Sequence, residues 1–119
     1  MVIKKIDICE RTFQFGVKIV NIVSTFPLTT TGRVIGNQLI RSGTSIGANS
    51  EEAQNAGSKK EFVYTFTIAL KEARETEYWL RIVQETKLVN DQNLIYLLQE
   101  VREIIKILTT IIKNTKKNI

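Results

Sequence analysis

An antiparallel up-down-up-down four-helix bundle, all-α, is what this sequence predicts. Three observations carry the expectation. Apolar residues recur at three- and four-residue steps through most of the chain, and no segment sustains strand-like alternation. Breaks at Pro27, at Asn55-Ala56-Gly57 and near Asn90 divide the 119 residues into four runs. The turns between the runs are short, so neighbouring helices must lie antiparallel. One domain covering residues 1–119 is the natural count for this length.

The first helix is expected from about Lys4 to Thr25, with Ile6, Cys9, Phe13, Gly16, Val20 and Val23 as its apolar row. Cys9 reads as a small core residue, with a reactive thiol as the alternative. Pro27 disfavours helix at the residue before it and marks the first loop. The second helix is expected from about Gly32 to Gln54. The third opens at Ser58-Lys59-Lys60-Glu61, which fits a capping box. Phe62, Phe66, Ala69, Ala73, Leu80 and Val83 continue it to about Lys87. Asn90 or Asp91 can cap the fourth helix. Its core row is Leu94, Leu97, Leu98, Val101, Ile104, Ile105, Leu108, Ile111 and Ile112, with Arg102, Glu103 and Lys106 outside. The tail from Lys113 to Ile119 is expected to fray.

The second helix is unusual. At 100° per residue, Gly32, Gly36, Gly43, Gly47 and Ser50 fall on one line, with Ile35, Leu39, Ile46 and Ala53 beside it. Each interior glycine costs about 1 kcal/mol relative to alanine, so the line implies a compensating close approach. The approaching surface is a neighbouring helix of the bundle or another subunit. Gln38, Arg41, Ser42, Ser45, Asn49 and Glu52 form a third sector near the apolar line. These side chains meet water or partners in a buried network. The third helix offers such partners, because Glu72 and Glu75 interrupt the line Ile68, Trp79, Ile82. Arg41 can pair with one of them and fix register. The alternative reading makes the two glutamates a metal-binding or acid/base pair.

Composition narrows function. The chain contains no histidine and one cysteine, which removes His-based triads, an internal disulfide and multi-cysteine metal cages. No cofactor and no catalysis are expected. The longest charge-free stretch, between Lys18 and Arg33, is 14 residues with Pro27 and four threonines, too short and polar for a membrane span. Met1 leads directly into charged residues without an apolar signal segment, so a cytoplasmic location is expected. Seventeen basic against 12 acidic residues give a formal charge of +5, compatible with a polyanionic partner such as RNA or DNA. Lys59 and Lys60 sit at a helix start, where the macrodipole disfavours cations, so they serve solubility or meet phosphate. Lys113, Lys116 and Lys117 form a second cluster, either a solvated tail or a further phosphate contact.

Two blocks carry a resemblance. One runs from Gly36-Asn37-Gln38 through Arg41-Ser42-Gly43-Thr44-Ser45-Ile46-Gly47-Ala48-Asn49 to Glu52-Ala53. The other comprises Lys59-Lys60-Glu61-Phe62, Ile68-Ala69-Leu70-Lys71-Glu72-Ala73 and Glu75-Thr76-Glu77-Tyr78-Trp79-Leu80. Together they resemble the signature of bacterial four-helix-bundle proteins encoded in intervening sequences of 23S rRNA genes. Ser50 and Gly43 depart from that pattern, standing where an apolar residue and an alanine are expected. The resemblance implies a ring-shaped homo-pentamer and a distant kinship with the nucleic-acid-binding accessory protein of diversity-generating retroelements. It also implies that Arg41, Ser45, Asn49, Glu52, Glu72, Glu75 and Trp79 belong to a polar core or interface, none of them catalytic. Nucleic-acid contact would then fall to Lys59, Lys60, Lys113, Lys116 and Lys117. A protein partner met by the oligomer's surface is the alternative.

Overall fold

Four helices account for nearly all of the chain: α1 (Val2–Val23), α2 (Thr30–Ala53), α3 (Lys59–Thr86) and α4 (Asn93–Lys117). This computed structural model describes the backbone of residues 2–117 and the side chains of residues 8–117. Connections of five or six residues force each helix antiparallel to the one before it. Each helix packs on its chain neighbours, and α1 closes the ring against α4. The α2–α3 seam is the most extensive and the α1–α4 seam the least. The rod measures 47 × 22 × 19 Å.

Local chemistry sets the helix ends. Thr29 is the N-cap of α2, its side chain accepting the Gly32 amide at 3.0 Å, so α2 begins two residues earlier than expected. Ser58 caps α3 by accepting the Glu61 amide at 3.1 Å, and Glu61 Oε1 accepts the Gly57 amide at 2.6 Å. Asp91 accepts the Asn93 amide at 2.8 Å at the entry to α4. The end of α3 is a Schellman turn: Lys87 donates to the Gln84 carbonyl and Leu88 to that of Val83, both at 3.2 Å. Lys87 there adopts φ 53°, the one positive φ among the described residues. Helix α4 continues to Lys117 and does not fray from Lys113; Asn118 and Ile119 lie outside the described residues.

The core is built from the expected rows of α2, α3 and α4. Leu39, Ile46, Phe66, Ala69, Leu80, Val83, Leu97, Val101, Ile104 and Leu108 are all buried. Phe62, Ile105 and Ile111 pack against it while partly exposed. Helix α1 differs. Its buried row is Ile8, Thr12, Phe15, Ile19 and Ile22. Phe13 and Val20 of the expected row point outward, 53% and 43% exposed, and Val17 joins them. Ile6 lies outside the described side chains. Helix α1 is apolar on two sides, so spacing alone does not choose between them. The chosen row contains Thr12, which is core-compatible because its hydroxyl donates to the Ile8 carbonyl at 2.7 Å.

The glycine line of α2 supplies the choice. It packs within the subunit, against α1. A Cβ on Gly43 would lie 2.9 Å from the side chain of Ile19, and one on Gly36 2.9 Å from Val23 Cγ1. At Gly47 it would lie 3.2 Å from the Thr12 carbonyl and 3.3 Å from the Phe13 nitrogen, backbone atoms that cannot rotate away. At Gly32 it would run into the Pro27 carbonyl oxygen. Gly16 of α1 is different, since its nearest neighbour would be Thr44 Cα at 3.7 Å, an ordinary contact.

The glycines therefore separate by substitution. Gly16→Ala should stabilise the fold by up to about 1 kcal/mol through helix propensity. Gly47→Ala should destabilise it by about 1–2 kcal/mol net, because overpacking against backbone outweighs that gain. Urea unfolding of the two variants, read by circular dichroism, measures both; equal effects would remove the backbone contact as the reason for Gly47. Lys87→Gly should add about 0.5–1 kcal/mol in the same assay by relieving the left-handed position.

Candidate functional site

The α2–α3 seam carries the polar groups singled out in the sequence. At its outer edge Arg41 from α2 reaches two carboxylates of α3. Its Nη1 donates to Glu72 Oε1 at 3.2 Å, and its Nη2 donates to Glu75 Oε2. Gln38 Oε1 accepts from Nη2 of the same guanidinium at 2.9 Å. Trp79, one turn beyond Glu75, donates its indole N–H to Glu75 Oε2 at 3.1 Å. The line Ile68, Glu72, Glu75, Trp79, Ile82 is half-buried throughout, which is why it mixes charge with bulk. Arg41 stays 48% exposed, so the cluster is a surface clasp and not a buried ion network.

Deeper in the seam the polar side chains are short. Thr76 Oγ1 lies 2.9 Å from Ser42 Oγ across the helices and 2.7 Å from its own helix's Glu72 carbonyl. Ser42 donates to the Gln38 carbonyl at 2.9 Å. Ser45 and Asn49 do not cross to α3. Ser45 Oγ donates to the Arg41 carbonyl at 2.6 Å, and Asn49 Nδ2 to the Ser45 carbonyl at 2.9 Å. Glu52 is exposed and takes no part in the seam. The small hydroxyls thus satisfy themselves on their own backbone, which lets two helices close tightly over them.

The arrangement places a guanidinium where a metal held by Glu72 and Glu75 would have to sit. Among the described residues no group of three or more Cys, Asp or Glu is gathered to hold an ion. Cys9 is half-buried, 3.7 Å from the Ser50 carbonyl. Burial pushes its thiol pKa up, the nearby Glu51 charge adds to this, and a Gln54 hydrogen bond partly opposes it. The thiolate nucleophile is therefore scarcer than in a free cysteine.

The basic residues gather by topology. Glu77 of α3 accepts from Arg102 Nε of α4 at 2.7 Å, which fixes the antiparallel register. The first turn of α3 and the last turns of α4 consequently lie at one end of the rod. Lys59 and Lys60 are exposed there, as are Lys113, Lys116 and Lys117. Lys116 and Lys117 also complement the negative end of the α4 dipole.

A second basic surface escaped the sequence reading. Lys60, Tyr64, Lys71, Arg74, Tyr78 and Arg81 are all exposed along the outer face of α3. Their signal was the spacing of four, seven, three, four and three residues. Apolar spacing does not mark these residues, because they lie on the exposed side of α3 away from its core row.

Two tests address the seam. Arg41→Ala should cost about 0.5–1 kcal/mol in urea unfolding followed by Trp79, the only tryptophan of the chain. A loss of several kcal/mol would instead mark the clasp as a buried charge pair. Cys9 should react with a thiol reagent more slowly than a free cysteine near neutral pH and gain reactivity only as pH rises above the ordinary thiol range. The raised thiol pKa gives that sign.

No functionally curated protein matches this chain. A solved structure from Bacteroides thetaiotaomicron, described as a protein of unknown function from the S23 ribosomal protein family, is similar at 38% identity and a TM-score of 0.83. The match covers 92% of this chain and 98% of that one. The model of the family described as 23S rRNA-intervening sequence protein matches residues 4–110. With that match extending from α1 into α4, over both the glycine line and the Arg41 clasp, the chain belongs to the 23S rRNA-intervening sequence protein family.

Proposed function

We propose that this chain is a non-catalytic, oligomeric nucleic-acid-binding bundle of the cytoplasm, with RNA as its partner. The observation that carries the reading is the gathering of Lys59, Lys60, Lys113, Lys116 and Lys117 at one end of the rod. Lysines at that density contact phosphates and bind by charge and shape, not by base sequence. None of them needs a cofactor.

Oligomerisation strengthens the reading. The exposed α1 row of Phe13, Val17 and Val20 supplies apolar area for contact between copies. A pentameric ring of +5 subunits would carry +25, turning a modestly basic chain into a strong polyanion binder. No helix among the described residues is long and apolar enough to cross a membrane.

The same apolar row favours a second reading, an adaptor that docks a protein and touches no nucleic acid. Capture of one protein partner that survives nuclease treatment, without RNA affinity of the purified chain, would establish it.

For the first reading, binding of a structured RNA should fall about five-hundredfold between 50 and 200 mM salt, as expected for about five phosphate contacts. The triple variant Lys113→Glu, Lys116→Glu, Lys117→Glu should weaken single-stranded and duplex RNA alike, by tenfold or more in fluorescence anisotropy. Affinity indifferent to both salt and charge reversal would overturn the reading.

A further inference from the structure

We infer that the outer face of α3 is a stacking surface for an unpaired stretch of RNA, an inference that rests on the nucleic-acid reading above. The row Lys60, Tyr64, Lys71, Arg74, Tyr78 and Arg81 runs along one side of a 28-residue helix. At 1.5 Å per residue it extends about 32 Å, with the two tyrosines about 21 Å apart. It starts at the lysine-rich end, so a strand anchored there by phosphate contacts continues onto it without leaving the protein.

The charge arrangement on α3 is one-sided. Three of its five acidic residues, Glu72, Glu75 and Glu77, turn toward the seams and are neutralised by Arg41 and Arg102, and Glu61 in the first turn is held by the Gly57 amide. Lys60, Lys71, Arg74 and Arg81 make no ion pair among the described residues, whereas Arg11, Arg41 and Arg102 are all engaged. Glu85, one turn past Arg81, is the acid that ends the row. Four uncompensated cations on one helix face complement a phosphate backbone.

The tyrosines specify which kind. Tyr64 is 68% and Tyr78 53% exposed, on a helix whose other aromatic residues, Phe62, Phe66 and Trp79, pack on the core. Tyr78 meets Trp79 in an edge-to-face contact, with ring centroids 5.2 Å apart, which steadies its ring. Aromatic rings interleaved with cations are the elements of a surface that stacks unpaired bases while holding their phosphates. A duplex, whose bases are already stacked on each other, gains nothing from them.

The test compares a non-self-complementary 20-nucleotide RNA with the duplex formed from it and its complement, by fluorescence anisotropy. The full chain is used as the wild type, as Tyr64→Ala/Tyr78→Ala and as Tyr64→Phe/Tyr78→Phe. The alanine pair should lose about twentyfold or more on the single strand and less than twofold on the duplex. The phenylalanine pair should retain wild-type affinity for both, because stacking needs the ring and not the hydroxyl. Circular dichroism and light-scattering mass should be unchanged in both variants. Equal loss on both RNAs, no loss on either, loss in the phenylalanine pair, or a changed assembly mass would each overturn the α3 assignment. Those outcomes leave the general reading intact, since the wild type still binds RNA. A wild type that binds neither RNA overturns both.

Discussion

The close approach of α1 and α2 is the constraint on which the rest of the molecule depends. Gly36, Gly43 and Gly47 leave no side chain between the two helices, so Val23, Ile19 and the backbone at Thr12 settle directly onto α2. That contact fixes the rotation of α1. With its buried row set against α2, Phe13, Val17 and Val20 have only the outside to face. Four glycines in one helix are a heavy intrinsic penalty. They persist because no larger residue fits at such a separation, and Gly32 adds a separate reason, the Pro27 carbonyl in the capping turn.

The opposite side of α2 works by another principle. There Ser42 and Ser45 are small but polar, and their hydroxyls bond to carbonyls four residues earlier. Such a surface can be buried without needing partners across the seam, which leaves specificity to the clasp at the edge. Arg41 grips Glu72 and Glu75 together, so the register of α2 on α3 is read by one side chain against two. The ion pairs that α3 makes thereby lie at its seams, and its uncompensated cations are left outside. The distribution separates the work of holding the bundle together from the work proposed for its surface.

Much of this was legible in the residues. Helix number, the glycine line and the Arg41 pairing follow from spacing, because three- and four-residue steps bring side chains onto one face whatever the tertiary context. The cap at Ser58 was equally plain, since a capping box is local chemistry. What spacing did not decide was which of two apolar rows on α1 turns inward, for that is settled by contact with another helix. Thr12 looked like an interruption and proved to be core, because its hydroxyl is satisfied within α1. Ser45, Asn49 and Glu52 shared a wheel sector with Arg41, yet of these four only the arginine bonds to α3. The outer row of α3 went unseen for a related reason: exposed residues leave no apolar pattern.

The ring of helices is not equally tight all round. Where α1 meets α4 the packing is thinnest, held by the fork of Arg11 on Glu100 at 2.7 and 2.9 Å and by Lys18 lying 4.9 Å over the Tyr96 ring. This joint ties together chain segments that are far apart in sequence, so it costs the most loop entropy and returns the least contact. The last stave of the barrel is therefore also the loosest. A bundle of this build parts first along that line, releasing α1 from α4 while the α1–α2, α2–α3 and α3–α4 seams stay closed.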